Sequence, residues 1–163
     1  MIRHLMILNN AGIPLYSQSY ENGIECCSPD HNATLKLKQN QHLFSGFITA
    51  LAGMATEFDA DLKQMNMGVW DIYLEALEGL KTILVVKNED DPEKQKGYRD
   101  LIKIIMHDFV SEFADRIRKF DGNVDIFKSF EYTLNDLDIL EEGSIKTELC
   151  RACISEIKEM IEH

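Results

Sequence analysis

Apolar positions along this chain recur with two different periods, and the switch between them predicts the elements. Ile2 to Leu8 (I-R-H-L-M-I-L) is almost continuously apolar, as expected of a strand buried on both faces. Asn9-Asn10-Ala11-Gly12 follows, and such residues tolerate positive φ and predict a hairpin turn. Ile13 to Tyr20 is the return strand. Pro14 near its start has no N–H for a ladder, which predicts an edge position. Glu21 to Gln41 is a long polar connection with room for a short strand at Thr34 to Leu37.

His42 to Phe58 then switches to helical spacing, with Leu43, Phe44, Phe47, Ile48, Leu51, Met54 and Phe58 at intervals of three and four. The rest of this helix is small rather than charged: Ser45, Gly46, Thr49, Ala50, Ala52, Gly53 and Thr56. A helix apolar or small all round is normally covered on more than one side. Two interior glycines each cost about 1 kcal/mol against alanine, which predicts close packing around them. One face is expected on the sheet. The other meets either a partner or the chain's own C-terminal helix.

Leu62 to Met67 reads as a short strand with Gly68 as a turn. Val69 to Leu77 alternates, with Trp70, Ile72, Leu74 and Ala76 on one side and Asp71, Tyr73 and Glu75 on the other. Leu80 to Lys87 (L-K-T-I-L-V-V-K) is a second continuous apolar run, so this strand and Ile2 to Leu8 are expected to lie side by side in the centre of the sheet. Asp91-Pro92 opens a long helix, Asp as cap and Pro at the first position, that runs to about Lys119 on a stripe of Tyr98, Leu101, Ile102, Ile105, Phe109, Phe113 and Ile117. Asp121-Gly122-Asn123 ends it. Val124 to Leu140 reads as a further helical segment with Phe127, Phe130, Leu134 and Leu137 inward. Ser144 begins a last amphipathic helix, so residues 1–140 form one domain and 141–163 a C-terminal helical extension.

Composition narrows the function classes. With 163 residues and 45% hydrophobic side chains, the chain can fill one core. It carries 17 basic against 28 acidic residues, a formal charge of −11, and no dense Lys/Arg run, which argues against nucleic-acid binding. No stretch approaches the roughly 18 apolar residues of a membrane span, and no signal peptide is legible, so a cytoplasmic protein is expected, meeting membranes only through partners. The four cysteines, Cys26, Cys27, Cys150 and Cys153, have two readings: a four-sulfur zinc site, or small apolar positions, Cys150 and Cys153 lying mid-helix beside Ile154 and Ile157.

Catalytic patterns are missing. Neither a glycine-rich phosphate loop nor a G-x-S-x-G elbow occurs, and His4, His31, His42, His107 and His163 form no pair at metal-ligand spacing. Asp121, Asn123 and Asp125 match the first ligands of a calcium loop, but its sixth position is Ile126 instead of Gly and its twelfth is Tyr132 instead of Glu. A turn with a helix cap is the better reading. The residues therefore predict no enzyme and no cofactor.

The order β-β-α-β-β-β-α-α, with N-x-x-G-x-P-L at Asn9 to Leu15 and the helix at Leu43 to Phe58, resembles the longin domains, among them the small coat-adaptor subunits and sedlin-like tethering subunits. The resemblance implies an α+β sandwich: a five-stranded antiparallel sheet of order 2-1-5-4-3, one helix on one face and two on the other. It also implies a non-catalytic adaptor or scaffold whose partner is a small GTPase or a longin- or roadblock-like subunit, with a homodimer as one form. The matching partner-binding surface is Phe44, Phe47, Ile48, Leu51 and Met54 of the helix with Met65 and Met67 of the following strand. Alternatives are a roadblock-type GTPase-regulatory domain, a related fold that usually opens with a helix where this chain opens with a strand, and a PAS-like small-ligand sensor, which also places helices on an antiparallel sheet.

Overall fold

The computed structural model describes residues 1–22, 40–137 and 144–146. The 23–39 connection with its expected strand, all of the helix expected from Ser144 except its first three residues, and all four cysteines lie outside the described residues. The fold is α+β. Strands β1 (Ile2–Leu8), β2 (Pro14–Asn22), β3 (Gln64–Met67), β4 (Trp70–Leu77) and β5 (Leu80–Lys87) form an antiparallel sheet of order 2-1-5-4-3. Helix α1 (Gln41–Glu57) lies on one face; α2 (Pro92–Arg118), a 3-10 turn (Val124–Phe127) and α3 (Phe130–Asp136) lie on the other.

The two continuous apolar runs are the two central strands. Every residue of β1 is buried, and β1 pairs with β5 from Ile2↔Val86 to Leu8↔Lys81. Side chains of alternating sense then feed two cores. Leu5, Ile7, Leu84 and Val86 meet α2, whereas Met6, Leu8, Ile83 and Val85 meet α1. The polar members of β1 are accommodated. His4 Nδ1 lies 2.8 Å from Ser19 Oγ and its Nε2 3.1 Å from Ser17 Oγ, and buried Arg3 stacks over Trp70 at 5.9 Å.

The opening hairpin is built on Asn9 and Gly12. Asn9 Oδ1 accepts from the backbone N–H of Ala11 and Ile13 (3.0 and 2.9 Å), and the Gly12 N–H donates to Asn9 O. Gly12 has φ +79°, and a Cβ there would come 2.8 Å from Thr49 Oγ1 of α1. Both the left-handed backbone and the close approach require glycine.

Helix α2 is capped as its sequence predicts: the Asp91 carboxylate accepts from the N–H of Glu93 (3.0 Å) and Lys94 (3.4 Å). Its buried stripe, Tyr98, Ile102, Ile105, Met106, Phe109 and Phe113, ends in an aromatic cluster. Phe109 lies 5.4 Å from Phe127 and 5.0 Å from Phe130, and Tyr16 of β2 meets Phe130 edge-on at 5.5 Å.

Three expectations need correction. Val124 to Leu140 is not one helix: Asn123 caps a 3-10 turn, accepting from the Asp125 N–H at 3.0 Å, before α3 begins at Phe130. Phe127 closes the 3-10 turn and Phe130 opens α3, and both rings meet Phe109. Ser144–Lys146 does not begin a helix. It is a strand, β6, antiparallel to Tyr20–Asn22 of β2. The outer N–H and C=O groups at the end of β2 need partners, and these three residues after Gly143 supply them. The edge position read from Pro14 consequently holds for the start of β2 only, its far end being paired by β6.

Candidate functional site

The third correction concerns α1 and defines the site. The helix carries two apolar stripes, and the structure seats the smaller-featured one on the sheet. Ser45 and Ile48 are its buried residues, with Phe44, Thr49, Leu51, Ala52 and Ala55 half-buried beside them. Ser45 Oγ donates to His42 O at 2.9 Å, so its burial leaves no hydroxyl unpaired. Ile48, with Phe44 beside it, packs on Met6, Leu8, Ile72 and Ile83.

The other stripe faces outward. Leu43 is 75% exposed, Phe47 45%, Met54 57% and Phe58, at the C-cap, 77%. Their spacing of four, seven and four residues is the seam pattern of a helix that pairs with another apolar surface. From Leu43 to Met54 the stripe is about 17 Å long at 1.5 Å per residue. No Lys or Arg lies between Gln41 and Glu57, and Glu57 is the one acid. Met67 of β3 and Val69 of the β3–β4 turn, 48% and 60% exposed, are further exposed apolar side chains at the sheet edge.

Of the seven residues that the sequence assigns to partner binding, Phe47, Met54 and Met67 are exposed. Phe44, Leu51 and Met65 are half-buried. Ile48 is fully buried in the core between α1 and the sheet, because it is the side chain that anchors the helix, and it is not on the surface. Leu43, Phe58 and Val69 complete the surface and were not in that set. The signal for Leu43 and Phe58 is the spacing of their stripe, which skips Ile48. The glycines also differ from expectation. A Cβ at Gly46 or Gly53 would meet nothing within 4 Å, so no packing within the described residues requires them.

The opposite side of the sheet holds a different feature. A groove of about 510 Å³ runs between the β3–β4 edge and α2, lined by Lys63, Gln64, Tyr73, Glu75, Arg99 and Lys103 among others. Arg99 Nη1 donates to Gln64 Oε1 at 3.1 Å and so ties α2 to the edge strand. Tyr73 is 1% exposed and its hydroxyl has no hydrogen-bond partner among the described residues. Burial raises its pKa, the Asp71 carboxylate raises it further, and the Arg99 guanidinium opposes them.

Among the described residues no three His, Cys, Asp or Glu side chains group to hold a metal, and no helix is long and apolar enough to cross a membrane. Asp121 and Asn123, two of the calcium-loop candidates, spend their side-chain oxygens on the N–H groups of Asn123 and Asp125, both at 3.0 Å. Compared with known proteins, the chain matches no family model and no curated protein sequence.

Proposed function

We propose that this chain is a non-catalytic protein-interaction module of the longin type, an adaptor or scaffold that docks a small GTPase or a longin- or roadblock-like subunit, or a second copy of itself, on the outer face of α1 and the adjoining β3–β4 edge. The module works in the cytoplasm and reaches membranes through its partners. The observation that carries the reading is the outward stripe Leu43, Phe47, Met54 and Phe58: four large apolar side chains on one helix with no basic residue among them. Scattered surface apolars are ordinary, but a continuous apolar stripe is typical of an interaction surface. The strand order 2-1-5-4-3 and the helix arrangement are those the longin resemblance implies, and they support the scaffold without naming the partner.

The test pairs sedimentation of the pure protein with capture of candidate GTPases and longin-like subunits. Phe47→Glu with Met54→Glu is expected to leave the circular dichroism spectrum unchanged and to weaken association about thirtyfold or more, the size of a central hot-spot loss. A wild-type protein that stays strictly monomeric and captures none of these partners overturns the reading.

A further inference from the structure

Among the described residues, the groove on the α2 side of the sheet combines cations that have no acid partner with a buried, unpartnered tyrosine hydroxyl beside an edge strand. Lys94, Arg118 and Lys128 each have an acid within 4 Å: Glu89, Asp115 and Asp125. Arg99 and Lys103 have no ion-pair partner among the described residues, although the chain as a whole is strongly acidic. Two acids of the neighbouring strand are already engaged, while Asp100 beside Arg99 is exposed. Glu75 lies 3.8 Å from Lys63 Nζ, and Asp71 accepts from Asn66 Nδ2 at 2.8 Å. Besides the paired Lys63, two cations without an ion pair therefore line a groove that holds Tyr73 and its unpartnered hydroxyl, while Glu75 and Asp71 are held by Lys63 and Asn66.

The spacing selects the occupant. Arg99 and Lys103 are four residues apart on α2, about 6 Å along its axis. Alternate residues of an extended chain repeat at about 6.6–6.8 Å on one face. Beside the groove runs β3, the last strand of the sheet among the described residues, whose outer N–H and C=O groups face no other described strand. Its side chains already sort by face. Gln64 and Asn66 contact Arg99 and Asp71 on the α2 side, whereas Met65 packs into the α1-side core.

We propose that this groove docks an extended acidic segment of a partner protein, with carboxylates at alternate positions set against Arg99 and Lys103. The site is separate from the outer face of α1 and does not depend on that face having a partner. Binding here weakens with added salt, because both cations are exposed.

The probe is a short fluorescent peptide with glutamate at alternate positions, compared with its glutamine counterpart by anisotropy at low salt. The glutamate peptide is expected to saturate. The glutamine peptide, and the Arg99→Glu/Lys103→Glu protein, are expected to bind about tenfold more weakly. Phe47→Glu with Met54→Glu is expected to leave this binding unchanged, which separates it from docking on α1. Amide shifts from the bound peptide are expected at residues 64–67 and 99–103. If the charge-reversed protein loses its fold, Arg99→Gln/Lys103→Gln gives the same comparison. Equal affinity for the two peptides, undiminished binding by a folded variant, shifts confined to other surfaces, or displacement by free glutamate at the peptide's own concentration would each overturn the proposal.

Discussion

Helices α1 and α2 cover opposite faces of the same sheet with opposite uses of their side chains. Along α2, bulk points inward: Tyr98, Ile102, Ile105, Met106, Phe109 and Phe113 are buried, and its outer surface is largely charged. Along α1, bulk points outward: Ile48 is its one large buried side chain, and Leu43, Phe47 and Met54 stand in solvent. The hydrophobic effect stabilises a fold only by removing apolar surface from water. By that measure α2 is a structural element, whereas much of the apolar surface of α1 stays uncovered among the described residues. A helix can be equally apolar in composition and serve either purpose, depending on which stripe it turns to the sheet.

The sharpest way to break this contrast is truncation on each side. Phe109→Ala removes the centre of the aromatic cluster and is expected to destabilise the fold by about 3–5 kcal/mol, a large part of a typical domain's stability. Phe47→Ala is expected to change it by no more than about 0.5 kcal/mol, as for a surface site. Equal losses in urea melts of the two variants would mean that the outer face of α1 is structurally covered.

Gly12→Ala tests how the hairpin holds α1. The positive φ and the 2.8 Å approach to Thr49 Oγ1 together predict a loss of about 1–3 kcal/mol. A thermal melt indistinguishable from wild type would show that the turn and the helix do not constrain one another.

The smallest expected effect has the opposite sign. Gly46→Ala and Gly53→Ala meet open space, so each is expected to stabilise the isolated fold by about 0.5–1 kcal/mol. If the partner approaches the backbone at these positions, the same substitutions weaken association while the melting temperature rises. Destabilisation by either one would restore the close packing that the sequence predicts.

Much of the fold was legible because its elements are long and strongly patterned. The bounds of β1 and β5 match their apolar runs, and α2 begins at the Asp91-Pro92 signal. The rotation of α1 was not legible from periodicity, which identifies apolar stripes without saying which one faces the core. Ser45 and Ile48 are buried on the sheet side, with Ala52 half-buried, and Leu43, Phe47 and Met54 are left outside. Strand β6 is three residues long, too short to show a period. The Arg99–Lys103 groove was hidden for another reason: it joins side chains from β3, β4 and α2, which only the completed fold brings together.

The contact between Gly12 and Thr49 has a spectroscopic consequence. The turn glycine is held by Asn9 on one side and touches the midpoint of α1 on the other. Any ligand that tilts or shifts the helix must therefore displace the hairpin tip. The amide resonance of Gly12 is a built-in gauge of occupancy on the far side of α1, readable without a label at the interface itself.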